Sequence, residues 1–149
     1  MSRDSQRSRC YEWEDRHIHS RDASVVPFDQ AQSIVDYVWA KAGLTYPPKV
    51  RVLTKNATRL EAQASRIWIK VPKAGIGTTV LLHEIAHSLT NAADDQCQHG
   101  HGPRFVGVFM KLLSEHIGIF RLDELMRTAK LEGIDFNFDG PIHTSGEGG

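Results

Sequence analysis

A chain of 149 residues, 40% apolar and 24% charged, has room for one domain with a substantial core and little for a second. Its 18 basic and 18 acidic residues cancel, which removes the positive field expected of a protein held mainly by phosphate contacts. No apolar run is long enough to cross a bilayer, no apolar segment near the amino terminus directs export, and Cys10 and Cys97 form neither a C-x-x-C pair nor a disulfide framework. The expected setting is cytoplasmic, with reduced thiols and no membrane association.

Residues 1–27 read as an N-terminal arm or helical extension. Arg3, Arg7 and Arg9 face only Asp4 there, a short basic patch capable of weak nucleic-acid contact. A solvated, frayed terminus is the plainer expectation, and Glu12, Glu14 and Asp15 dilute the patch. From Phe28 to Ala42, the residues Ala31, Ile34, Val35, Val38 and Ala42 repeat at helical spacing and Gly43 supplies a stop, predicting a helix that covers a sheet. Lys49 to Thr54 and, within Arg59 to Val71, the run Arg66 to Val71 read as strands expected to pair antiparallel. The second strand should lie near any site on the helix that follows it, and an open edge there would accept an extended peptide through main-chain hydrogen bonds.

That next helix, starting from Gly75-Ile76-Gly77-Thr78 and ending near Asn91, carries the most informative stretch of the chain, His83-Glu84-Ile85-Ala86-His87. At about 100° per residue the two imidazoles of H-E-x-x-H sit roughly 40° apart on one face and can share one ion. Glu84 is offset by about 100°, beside the ion but off its axis, as suits a general base rather than a ligand. Leu81, Leu82, Ile85 and Leu89 form an apolar stripe pointing away from the histidines, which anchors the helix in a core. With eight histidines and eight glutamates in the chain, the motif would arise by chance with a probability of roughly 2%.

The polar run from Asn91 to Gln98, including Asp94 and Asp95, reads as a loop. After it comes His99-Gly100-His101-Gly102-Pro103-Arg104-Phe105. Pro103 suits the first position of a new helix; this places His101 at the helix entrance, within reach of the first two histidines, and makes it the preferred third ligand. His99 and Glu115 are the alternatives. Phe105, Phe109, Leu112 and His116 on one line and Val106, Met110, Leu113 and Ile117 on its neighbour predict a largely buried helix to Ile117, with His116 a core histidine. A last helix from Leu122 to Leu131 ends at Gly133, and 135–149 reads as a flexible, acidic, glycine-rich tail. The fold class is α+β, with the folded domain at 28–134 and a small, mostly antiparallel sheet.

On the combination of His83-Glu84-Ile85-Ala86-His87 with His101-Gly102-Pro103-Arg104-Phe105, the chain resembles the SprT-like, or Spartan-type, minimal zinc metalloproteases. The resemblance rests on specific residues from Thr79 to Phe105, and by order of elements from Phe28 to Ile117. The opening, with Tyr11-Glu12-Trp13-Glu14, also resembles a family of small metallohydrolases inferred from sequence. The SprT-like resemblance implies a zincin-like domain with one zinc ion on His83, His87 and His101, and Glu84 as catalytic base. The cysteine-rich part that SprT proteins often carry has no counterpart after Gly133.

The expected activity is therefore hydrolysis of protein or peptide amide bonds by a metal-activated water, with Glu84 as general base. Arg104 and Asn91 are candidates, by position only, for a group that stabilises the oxyanion. Two other readings stand beside it: a zinc hydrolase of a non-peptide bond, and a non-catalytic, metal-stabilised binding module in which Glu84 has no task.

Overall fold

A computed structural model describes residues 6–53, 63–90 and 102–138. Arg3, the loop from Lys55 to Arg59, Asn91, Asp94, Asp95, Cys97, His99, His101 and the tail from residue 139 lie outside the described residues. The chain forms a mixed α+β fold.

The amino-terminal segment is built into the core. Helix α1, Arg7–His17, buries Cys10, Trp13 and Glu14, positions three and four residues apart and hence on one face. Trp13 packs edge-on against Phe109 and donates its indole N–H to Thr128 Oγ1 at 2.9 Å. Gln6 and Arg9 also bond backbone groups of Asp135 and Gly133. Arg7 lies over the Tyr11 ring, so both described arginines of the basic patch engage their own chain. After a 3-10 turn at His19–Arg21, strand β1, Val25–Val26, leads into helix α2, Phe28–Lys41, which buries Ala31, Val35, Val38 and Trp39.

Strands β2, Lys49–Val52, β3, Gln63–Ala64, and β4, Trp68–Val71, form a three-stranded sheet in the order β2-β4-β3. The expected antiparallel pairing of the two longer strands is corrected: β2 and β4 run parallel over four residues, from Lys49 opposite Trp68 to Val52 opposite Val71. The antiparallel partner of β4 is β3, reached through a tight turn in which Ser65 Oγ accepts the amides of Ile67 and Trp68. A two-residue strand carries no periodicity, so the sequence hid the element that sets the topology. β4 is flanked on both sides, so the condition for peptide addition, an open edge, is not met on β4 itself; among the described residues β3 lies at the sheet margin. Gln32 ties α2 to β2, donating to Pro48 O and accepting from Val50 N.

Strand β5, Ile76–Gly77, pairs antiparallel with β1 and runs into helix α3, Thr78–Thr90. Gly75 has φ +115° and lies so close to Val26 that a Cβ would come 2.9 Å from its carbonyl oxygen, leaving glycine the residue this approach admits. The start of α3 is pinned further by Thr78 N to Ser24 O at 2.9 Å. Helix α4, Pro103–His116, begins with Pro103 in its first turn as expected, and buries Phe105, Val106, Phe109, Met110, Leu112 and Leu113. Helix α5 spans Leu122–Leu131. No described helix is long and apolar enough to cross a membrane.

Residues 134–138, which include the first four residues of what composition marks as tail, pack on the protein. Ile134 is buried, Phe136 and Phe138 rest against the core, and Asn137 N donates to Pro103 O at 3.0 Å. This strap crosses α4 at Gly107, where an added Cβ would collide with the Asn137 carbonyl oxygen. Gly107→Ala should therefore destabilise despite a helix-propensity gain of about 1 kcal/mol, because overpacking against backbone costs about 1–3 kcal/mol. A lower urea midpoint at unchanged m-value is the expected readout. An unchanged or raised midpoint would show that the strap yields freely.

Candidate metal centre

Helix α3 places both motif histidines where two other elements meet it. Leu81, Leu82, Ile85 and Leu89 are buried, as the stripe predicts, and fix the helix against the core. On the other side, His83 Nε2 and His87 Nε2 lie 3.1 Å apart. Two imidazole nitrogens at about 2.0–2.1 Å from a tetrahedral zinc would be roughly 3.3 Å apart, so the pair fits a shared cation. Two bare lone pairs would repel at that separation, so the contact takes either an N–H donated by one ring to the other or a metal ion between them. Glu84, the next residue, is 8% exposed, and its charge acts on His83.

The pair sits in an aromatic enclosure. Phe105 stacks on His87 with centroids 4.2 Å apart at 19°, and meets His83 edge-on at 4.9 Å. Phe109 closes a second side of His83 at 5.4 Å, and Tyr11 of α1 stacks parallel to it at 6.5 Å. His83 is 6% exposed and His87 half-buried. His83 is thus shielded from solvent, whereas His87 keeps some exposure.

Behind His83 stands a group to which the sequence assigned no role at the site. Glu14 Oε1, on α1, accepts from His83 Nδ1 at 2.7 Å and from His19 Nε2 at 3.0 Å. An ionised carboxylate only accepts, so both ring nitrogens carry protons. His19 Nδ1 is then left to accept the Thr79 hydroxyl at 2.6 Å. Burial pushes the Glu14 pKa up, but the charge of His83 and the hydrogen bonds from His19 and His83 outweigh it and hold the group down at about 2. For His83, burial favours the neutral ring, and the Glu14 carboxylate, through charge and hydrogen bond with help from Glu84, outweighs burial and raises its pKa. The signal for Glu14 was local but faint: it follows Trp13 on the same helical face as Cys10, at a position that faces the core.

Of the predicted site residues, His83, Glu84 and His87 come together. His101 and its alternative His99 lie outside the described residues, as does Asn91. Glu115 is exposed and ten residues beyond Phe105, about 15 Å along the helix, so it is not brought to the pair. Among the described residues no group of three His, Cys, Asp or Glu side chains converges as a metal set. Arg104 is half-buried one residue before Phe105. His116, expected in the core, is half-buried edge-on to Tyr37 at 5.8 Å, and burial is the main cause that lowers its pKa.

No protein-family model, curated protein or solved structure matches the chain.

Proposed function

We propose that the chain is a zinc-dependent peptidase of the SprT-like, zincin kind, hydrolysing protein or peptide amide bonds. The observation that carries the reading is the convergence of His83 Nε2 and His87 Nε2 to 3.1 Å beside a buried Glu84. A purely structural metal site has no use for such a carboxylate. His101, two residues before α4 in sequence, is the proposed third ligand.

Zinc at this site supplies Lewis acidity: it makes water acidic enough to lose a proton near neutral pH and draws charge onto the scissile carbonyl oxygen. The protein's own residues do the rest. Glu84 takes the proton from the attacking water and passes it to the amine as the C–N bond breaks, so that hydroxyl ends on the acyl carbon and hydrogen on nitrogen. Phe105 and Phe109 keep water from the ring faces of the histidines, which strengthens electrostatic interactions within the site.

The test is zinc stoichiometry of the purified protein and its variants, joined to comparison of cleavage products in a lysate. One zinc per chain is expected for wild type, with loss in His83→Ala, His87→Ala and His101→Ala and retention in His99→Ala. A wild-type protein without affinity for zinc sinks the reading. Zinc binding with turnover of a non-peptide bond and none of peptides transfers it to another hydrolase class.

A further inference from the structure

We propose that Glu14 is a positioning residue for this centre: from α1 it holds the His83 ring so that Nε2 presents its lone pair toward the point shared with His87. The inference rests on the metal reading above and adds to it a residue outside the Thr79 to Phe105 stretch that carries the SprT-like resemblance.

The argument is geometric. A neutral imidazole has one N–H, and whichever nitrogen carries it cannot bind a cation. Glu14 Oε1 sits 2.7 Å from His83 Nδ1, which assigns the proton to Nδ1 and leaves Nε2 bare on the side that faces His87 Nε2 at 3.1 Å. A carboxylate behind a ligating histidine fixes ring orientation and raises ligand basicity. Glu14 is itself held. Its Oε1 also accepts from His19, and His19 is clamped by Thr79, one turn before His83 on α3. The clamp closes a loop from α1 through the 3-10 turn to α3, so the carboxylate cannot swing away without breaking two hydrogen bonds. Tyr11, one turn earlier on α1, stacks on the same His83 ring.

Among the described residues Glu14 Oε2 is buried without a hydrogen-bond partner, a cost that the charge of His83 and the hydrogen bonds at Oε1 offset. Orientation of His83 is the benefit the contacts show.

The experiment has two readouts on Glu14→Gln and Thr79→Val. The first is zinc affinity by competition with a chromophoric chelator, with cobalt(II) absorption as a check on ligand geometry. Glu14→Gln should weaken zinc binding about 10- to 100-fold, and Thr79→Val, which loosens only the clamp, by a smaller factor in the same direction. The second readout needs no metal: long-range 1H–15N correlation spectra of the metal-free protein, above the pH at which His83 loses its second proton, report which ring nitrogen carries hydrogen. Wild type should show His83 as the Nδ1–H form, and Glu14→Gln a shift toward Nε2–H.

Unchanged zinc affinity in a folded Glu14→Gln protein overturns the positioning role and leaves the metal reading standing. An Nε2–H tautomer in wild type overturns it as well. A wild type that binds no zinc but shows Nδ1–H on His83 removes the metal reading instead. Should Glu14→Gln fail to fold, Thr79→Val alone decides: equal affinity and an unshifted tautomer population reject the clamp.

Discussion

Glu84→Gln should keep one zinc per chain and lose hydrolysis by roughly 10²- to 10⁴-fold, the range that a general base contributes. The amide matches the carboxylate in volume, and the site is close-packed, with Glu84 at 8% exposure, so the fold should accept it. What it cannot do is take a proton from water. One side effect has a predictable sign. The Glu84 charge acts on His83, and its removal withdraws negative potential from the cation, so zinc should bind somewhat more weakly while the site still saturates. Loss of the base acts on turnover at saturating metal, whereas loss of the charge acts on occupancy, and the two separate when activity is measured with excess zinc. Full activity in the variant would reject Glu84 as base, and activity restored merely by adding zinc would assign it to metal affinity.

Phe105→Ala should be the most damaging single truncation at the site. Phe105 is 2% exposed and touches His87, His83 and Phe109 at once, with centroids at 4.2, 4.9 and 5.7 Å. Removing a buried ring costs about 3–5 kcal/mol in lost transfer energy and residual cavity, which in a domain of this size lowers the melting temperature by roughly 10 °C or more. Ring contacts alone would account for about 1 kcal/mol of that, so the cavity dominates. The loss should appear in the metal-free protein. Phe105→Leu, which refills most of the volume, should recover much of the stability but less of the zinc affinity, because a leucine cannot hold the His87 ring parallel. A loss below about 1 kcal/mol in Phe105→Ala would contradict the close packing of α3 on α4.

Helices α2 to α5 were legible because their apolar residues repeat over successive turns, whereas α1 was read only as part of an arm or helical extension. Leu81, Leu82, Ile85 and Leu89 oppose the histidines as their spacing demands, and the double stripe from Phe105 to Leu113 is buried as read. The two longer strands fall within the runs read as strands, but their pairing was not legible. Four residues of β2 and β4 and two of β3 give alternation too little length to declare a partner, and a parallel ladder needs a connection whose path composition does not reveal. The packed strap at 134–138 was hidden for another reason: glycine-rich sequence beyond it masks the two phenylalanines that seat it. His83, Glu84 and His87 were readable because one helical turn encodes their geometry. Glu14 was not, since 69 positions separate it from the ring it holds, and a tertiary contact at that range leaves no periodic trace.

Two carboxylates flank His83, Glu14 behind the ring and Glu84 beside it in sequence, and both act on it electrostatically. Their combined charge equals that of a divalent cation with opposite sign, and neutral imidazoles add nothing. Among the described residues, these two charges would balance a doubly charged metal at the proposed centre. His83 is buried, and uncompensated charge is costly there, so under the zinc proposal the balance would favour a divalent ion over a monovalent one.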